Sequence, residues 1–326
     1  MKYCKKKLYF YKKSALLLEY TMNIIPESAF SEHIRCIAIT APAGQPDLEK
    51  LQKELDFIHR FVKVKTFLAA PQSTTPSYLA GEIPERLKLL NAAINDMEVD
   101  MILCARGGFG SMHLLSGIDY ETLQKRNLPV MGYSDITALH CAMLAKNAGT
   151  PIAGSNLIGW QGVTEDIFSF KAHKAALSQD SASMLLDEAP QTIRALLPSS
   201  THTSVTAAAY AANLTVLAAL CGTEFMPDFS NYILILEDVN EPLYKVDRML
   251  TQLQLAGVFK NLSALAIGCF TGMDNAAGLE KLFCRIALQN NIPLFSGFQF
   301  GHTMPMCAVN ARKKLTLTDG QFPRFS

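Results

Sequence analysis

Apolar positions along this chain of 326 residues fall into two alternating patterns. Short apolar runs over about residues 34–40, 62–64, 101–104 and 128–132 predict buried strands. Between them, residues 47–60 (Leu48, Leu51, Leu55, Ile58), 82–97 and 136–144 place apolar side chains at helical spacing. A shorter helical stretch surrounds Leu114 and Leu115. Strands alternating with helices predict a parallel sheet covered on both faces. Residues 187–204 are rich in Pro, Ser and Thr and read as a connection between domains. Beyond them come a helical pattern over 207–220 and a strand over 232–236 ending in Glu237-Asp238. A helix over 244–255, a strand over 264–270 and an apolar run over 291–295 follow, the last leading into a turn at 298–303 that contains Gly301. Residues 314–318 alternate like an edge strand, and no internal repeat or low-complexity tract interrupts the series.

Composition narrows the possibilities. The chain is 49% hydrophobic and 18% charged, and its length permits two ordinary domains. A formal net charge of +1 gives no footprint for nucleic acid or an acidic membrane surface. Eight cysteines are scattered without a CxxC pair, several inside apolar runs, as reduced thiols of a cytoplasmic protein would be. No segment approaches the length of a charge-free membrane helix. Residues 1–30 are basic and then briefly apolar, but Glu19 cuts the apolar run and no clear cleavage site follows. They read as a poorly ordered extension, with Met22 as one candidate for the usual start.

The candidate chemistry sits where strands end. Ser134, in "VMGYSDITALH", stands on a strand-to-helix turn. A serine there either caps the helix or presents a nucleophilic hydroxyl beside amides able to bind an oxyanion. The surrounding Gly132-Tyr133-Ser134-Asp135-Ile136 lacks the second glycine of the G-x-S-x-G elbow. The loop Arg106-Gly107-Gly108-Phe109-Gly110 lets backbone approach a ligand closely, but it has neither dinucleotide spacing nor a Walker lysine. Glycine-marked strand ends at 107–110 and 132–134 suggest a common crevice at the carboxyl edge of the sheet. Glu237 and Asp238 follow the apolar run 232–236, and of seven histidines His302 alone lies in a Gly-His-Thr-Met-Pro turn. His59, His140 and His173 fall within helical patterns, and no histidine–carboxylate cluster has metal-ligand spacing. Ser134, His302 and Glu237 together supply a nucleophile, a base and an orienter.

Several segments then align with one family. "YLAGEIPERLKLLNAAINDMEVDMILCARGGFGSMHLL", "PVMGYSDITALH", "NLTVLAALCGTEF", "ILILEDVNEPLYKVDRMLTQL" and "FGHTMPMCAVNA" resemble successive blocks of the serine LD-carboxypeptidases. These are the muramoyl-tetrapeptide carboxypeptidases of bacterial peptidoglycan recycling, and the resemblance spans about residues 33–320. It implies an α/β fold: an N-terminal flavodoxin-like parallel-sheet domain (31–186) and a C-terminal β-rich swivelling β/β/α domain (205–326), joined by 187–204. It implies a triad of Ser134, Glu237 and His302, with backbone amides of Gly108 and Asp135 as oxyanion donors, and neither cofactor nor metal. It also implies a muropeptide tetrapeptide as substrate and commonly a homodimer. The chain departs from the family pattern at Phe109, where tyrosine is usual, and at Ala211 and Ala212, where glycines are common. A microcin-immunity peptidase that cleaves a peptidyl-nucleotide, or a non-catalytic muropeptide-binding module on the same scaffold, are the alternatives.

Overall fold

The computed structural model describes residues 30–70, 78–179, 184–197, 204–273 and 276–326. The first half alternates as its pattern predicts: β1 (Cys36–Thr40), α1 (Leu48–Ile58), β2 (Lys63–Phe67), α2 (Ile83–Asn95) and β3 (Met101–Cys104). A 3-10 segment over Ser111–Gly117, α3 (Tyr120–Arg126), β4 (Pro129–Gly132), α4 (Thr137–Ala145) and β5 (Thr150–Ala153) continue it. Helices α5 (Trp160–Glu165) and α6 (Ile167–Leu177) close this half. Local signals set the boundaries: the Asp47 carboxylate accepts from the Lys50 amide at 3.0 Å and caps α1, and a proline opens α2.

In the second half lie β6 (Met184–Leu185), β7 (Arg194–Leu197), β8 (Ser204–Asn213), α7 (Leu214–Ala219), β9 (Tyr232–Val239), α8 (Leu243–Leu255) and β10 (Ala264–Thr271). Helix α9 (Ala276–Asn290), β11 (Leu294–Ser296), β12 (Val309–Asn310), β13 (Lys314–Thr318) and β14 (Arg324–Phe325) complete the chain.

The strands form two sheets, ordered β2-β1-β3-β4-β5-β12 and β6-β14-β13-β8-β9-β10-β11-β7. The first is parallel except for β12, which pairs antiparallel with β5. Its central strands β1, β3 and β4 are apolar on both faces because both faces are covered, whereas the edge strand β2, Lys63–Phe67, is only half-buried. Ala38, Ile102, Cys104 and Val130 join one core cluster, and Ile37, Ile39, Met101, Leu103 and Met131 the other. The larger cluster runs on into the second sheet through Ala209, Tyr210, Leu234 and Leu236, so both halves share one core. The second sheet is β-rich, with β8, β9, β10 and β11 parallel at its centre and antiparallel strands on either side.

Order in the first sheet gathers three loops. Strand β3 lies between β1 and β4, so the segments that leave their carboxyl ends meet at one edge. These are the turn at 41–44, the glycine loop at 106–110, and the turn carrying Ser134.

Several expectations need correction. The helical pattern over 207–220 is strand β8 as far as Asn213, and only then helix α7. Alanine favours helix intrinsically, but the run Ala207 to Ala212 is wedged between β13 and β9, where small side chains suit a covered strand. Strand β13 is not an edge, since β14 pairs with its outer side. The expected connection at 187–204 contains strand β7, and its residues 198–203 lie outside the described residues. Strand β6 joins the second sheet and β12 joins the first, across the boundaries expected at 186 and 205. Of the expected extension, residues 1–29 lie outside the described residues, whereas Phe30 is buried and stacks on Trp160 with centroids 4.9 Å apart.

Candidate active site

Ser134 has φ +65°, a left-handed value that a side chain with a Cβ adopts only where its surroundings hold it. It opens a 3-10 turn, Ser134–Ile136, and neither that turn nor α4 has a side-chain cap. The serine therefore does not serve as the helix cap that its position allowed. Gly107 packs directly against it: a Cβ at 107 would lie 2.8 Å from Ser134 Cβ and 3.1 Å from its Oγ. Only glycine admits that approach. The adjoining Gly44 amide donates to the Gly107 carbonyl at 3.1 Å, tying the first loop to the second.

Glu237 comes from β9, which runs on to Val239 rather than ending at Leu236. It is fully buried, and its register partner at the end of β8 is Asn213. The two neighbouring carboxylates share a donor, Asn213 Nδ2, at 3.1 Å each, but their remaining partners differ. Glu237 Oε2 lies 2.9 Å from His302 Nδ1, and its Oε1 accepts from Asn213 Nδ2 at 3.1 Å. Asp238 turns to the start of α7, where its Oδ2 accepts from the Thr215 amide and hydroxyl at 2.9 and 2.7 Å. Glu241 pairs with Lys245 at 3.3 Å.

His302 follows Gly301, whose φ is +150°. A Cβ at 301 would meet the Cys269 carbonyl at 2.6 Å and Glu237 Oε2 at 3.2 Å, so the approach of the histidine to the carboxylate requires glycine. The imidazole leans on Tyr133, with ring centroids 5.0 Å apart. Burial would lower the His302 pKa, but the hydrogen bond and charge of Glu237 outweigh it and raise the pKa above the ordinary imidazole value. Burial raises the Glu237 carboxyl, against the hydrogen bonds from His302 and Asn213 that favour its ionised form.

Ser134, His302, Gly107 and Gly108 line one cavity of about 300 Å³, together with Lys50 and Arg106. Glu237 stands behind His302, and Asp135 is buried directly after the serine. Among the described residues no hydrogen bond joins Ser134 Oγ to His302. In unliganded sites of this kind such contacts are often long and tighten when substrate binds. The other histidines of the helical patterns sit elsewhere. His140 and His173 are buried, with pKa values pushed down by burial to about 3 and about 4, and His59 is at the surface. Among the described residues no group of three or more His, Cys, Asp or Glu is placed to hold a metal ion, and no helix is long and apolar enough to cross a membrane.

Residues 37–154 match the LD-carboxypeptidase N-terminal domain, and residues 206–317 match the LD-carboxypeptidase C-terminal domain. The chain belongs to the LD-carboxypeptidase family. It is 29% identical to a probable murein peptide carboxypeptidase of Bacillus subtilis, over 87% of this chain and 89% of that protein. It is 30% identical to the murein tetrapeptide carboxypeptidase of Pseudomonas aeruginosa, over 69% of this chain and 74% of that protein. The crystal structure of a muramoyltetrapeptide carboxypeptidase from Oxalobacter formigenes shares the fold. Its TM-score is 0.75 at 24% identity, covering 89% of this chain and 97% of that one.

Sequence reasoning passed over several residues of this LD-carboxypeptidase. Asn213 bonds both acidic side chains of β9 and caps α7 through its Oδ1, which accepts from the Val216 amide at 3.1 Å. Its backbone amide donates to Thr137 Oγ1 at 3.1 Å, linking the serine-bearing half to the half that carries Glu237 and His302. An Asn directly before an apolar helical run is a cap signal, but the alanines over 207–212 carry helix propensity of their own and mask where the helix begins. Lys50 carries no signal of a role, and Arg106 stands out only as part of the glycine loop, because a charged residue at a helix start or loop usually faces only solvent.

Proposed function

We propose that this LD-carboxypeptidase is a serine hydrolase that removes the terminal D-alanine from a muropeptide tetrapeptide. The bond cleaved would join the L-centre of meso-diaminopimelate to D-alanine, leaving a tripeptide. One observation carries the reading: a serine held at φ +65° shares a cavity with a histidine whose far nitrogen is bonded to a buried carboxylate. The murein peptide and murein tetrapeptide activities named for the relatives in Bacillus subtilis and Pseudomonas aeruginosa support the substrate class.

Each group has a step. With Nδ1 donating to Glu237, neutral His302 presents Nε2 as the acceptor for the Ser134 proton. Ser134 Oγ attacks the scissile carbonyl, and the amides of Gly108 and Asp135 receive the oxyanion. The C–N bond breaks as His302 returns the proton to the departing D-alanine nitrogen, leaving an acyl-enzyme. Water then attacks the ester, gives its proton to His302, and the tripeptide acid leaves as Ser134 regains a proton. Glu237 holds the tautomer and stabilises the imidazolium throughout.

The cavity's charge suits an exopeptidase. Lys50 and Arg106 face it beside one carboxylate, Asp47, and among the described residues neither cation forms an ion pair. The Arg106 guanidinium is anchored to the Gln45 carbonyl at 2.9 Å. Its Nη2 lies 3.4 Å from where a Cβ on Gly108 would stand, so the guanidinium borders the glycine loop and could receive the substrate's terminal carboxylate. The site would work in the cytoplasm on recycled wall fragments, in a homodimer.

Incubation of purified protein with disaccharide tetrapeptide, in parallel with a peptidyl-nucleotide of the microcin type, tests the reading. Release of D-alanine and tripeptide supports it. Cleavage of the nucleotide conjugate alone assigns the immunity-type activity instead. Binding of the muropeptide without turnover makes the chain a binding module.

A further inference from the structure

Helix α2 buries one cation among its apolar residues: Arg86 shares the covered stripe with Leu90, Ala93 and Ile94. Its side chain is only 2% exposed, and such a charge persists in a core only when hydrogen-bonded. Arg86 Nε donates to the Gly81 carbonyl at 2.9 Å, and Nη1 donates to the carbonyls of Pro42 and Gly110, the latter at 2.9 Å. Nη2 lies 3.3 Å from His113 Nδ1. Asp135 is buried as well, and its Oδ2 accepts from the Ser111 amide at 2.8 Å. The Asp135 carbonyl accepts from Ser111 Oγ at 2.6 Å. The Gly110 carbonyl and the Ser111 N–H belong to the same peptide unit. That unit is therefore gripped at its oxygen by a cation and at its nitrogen by an anion.

What is gripped matters for the site. The peptide follows the loop that carries Gly107 and Gly108, and Asp135 is the residue after Ser134. A loop with three glycines in four positions has wide conformational freedom and needs outside anchors to hold one geometry. We propose that the side chains of Arg86 and Asp135 form a charged clamp that sets the oxyanion hole, acting through the backbone amides of Gly108 and Asp135. Both are positioning residues. The inference rests on the serine-hydrolase reading above, and it adds two buried side chains that do not touch substrate.

The clamp makes a prediction that simple core stabilisation does not. Misplacing the oxyanion donors weakens the transition state while leaving the ground state bound, so kcat falls and KM holds. Asp135→Asn keeps shape and removes the anion; Arg86→Gln removes the cation on the other side, and Arg86→Lys keeps the charge but loses the guanidinium's forked donors. Loss of one oxyanion contact typically costs about 100–1000-fold in kcat. Asp135→Asn is expected to lower kcat by about 100-fold, with KM and affinity for the tripeptide product within about twofold of wild type. Arg86→Lys should recover part of the loss of Arg86→Gln, and the double variant Arg86→Gln/Asp135→Asn should be no slower than the worse single.

The second readout is the rate at which a fluorophosphonate labels Ser134, a reaction that uses the same oxyanion donors without any peptide substrate. The clamp predicts a loss in labelling rate that parallels the loss in kcat. Should Arg86→Gln fail to fold, the near-isosteric Asp135→Asn carries the test. Wild-type protein that labels on Ser134 but releases no D-alanine would defeat the muropeptide reading and leave the labelling comparison intact. Asp135→Asn that labels at the wild-type rate, whatever its melting temperature, overturns the clamp.

Discussion

Gly107 sits so close to Ser134 that a methyl group added to it would lie 2.8 Å from the serine Cβ. The glycine loop and the serine turn are thus one packed unit. Because β3 and β4 are neighbours in the sheet, their carboxyl ends deliver these segments to the same edge. Misplacement of a reacting group by about 1 Å can cost about 100-fold. Gly107→Ala should therefore lower kcat/KM by at least about 100-fold. A near-wild-type rate for Gly107→Ala would mean that Ser134 does not react from this position.

The pair Glu237–His302 sets a pH dependence with a definite sign. A general base works when unprotonated, so kcat/KM rises as pH passes upward through the His302 pKa. Glu237 raises that pKa above the ordinary value, which moves the acidic limb to higher pH. In Glu237→Gln the carboxylate's contribution is gone and burial still lowers the value, so the limb should shift to lower pH. Loss of the tautomer lock should at the same time reduce kcat by up to about 10,000-fold. Asp238→Asn and Glu241→Gln should reduce kcat far less, because those carboxylates engage Thr215 and Lys245. A pH–rate profile for the three variants checks this, and a dead Glu241→Gln beside an active Glu237→Gln would reassign the orienting carboxylate.

Arg106 offers a test of exopeptidase character. Wild-type protein should prefer a tetrapeptide ending in a free carboxylate over its C-terminal amide, and Arg106→Gln should lose most of that preference. Truncating one partner of a charged contact costs about 2–5 kcal/mol when buried, and less at a rim such as this one, so a loss of about 10–100-fold on the acid is expected. Turnover of the amide should change little. Equal losses on acid and amide would place Arg106 in loop support rather than carboxylate recognition.

Phe30 predicts a stability effect separable from catalysis. Its ring is buried and stacked on Trp160 beneath the first sheet. Phe30→Ala should cost about 3–5 kcal/mol in a denaturant titration. The kcat of the folded protein should stay close to wild type, since neither ring lines the cavity.

Much of this arrangement was legible in the sequence, and the exceptions share physical causes. Strands β1, β3 and β4 of the first sheet are plain in the sequence because both faces are covered and their runs are nearly continuously apolar. Ser134 and the glycine loop were visible because strand ends with glycines mark backbone that must approach something. Strand β8 is masked in the sequence because alanines carry helix propensity wherever they occur, and only the flanking β13 and β9 make that run a strand. Strand β13 looked like an edge because its partner β14 is too short to give a periodic signal. Arg86 was hidden for the opposite reason. An arginine four residues before Leu90 on an apolar stripe marks a buried cation, yet the same pattern also fits a long side chain reaching solvent. The contact of Glu237 with His302 joins residues 65 apart in the chain, a juxtaposition that no local pattern encodes.

The most direct measurement is the release of D-alanine and tripeptide from disaccharide tetrapeptide by purified wild-type and Ser134→Ala protein, with folding of both checked by thermal melting. Ser134 is expected to supply the attacking oxygen, so wild-type protein should release the two products in equal amounts. Ser134→Ala should melt like wild type and fall by at least about 10,000-fold in rate, as loss of a nucleophile does in serine hydrolases. D-alanine release by Ser134→Ala at a rate close to wild type would contradict the serine mechanism outright.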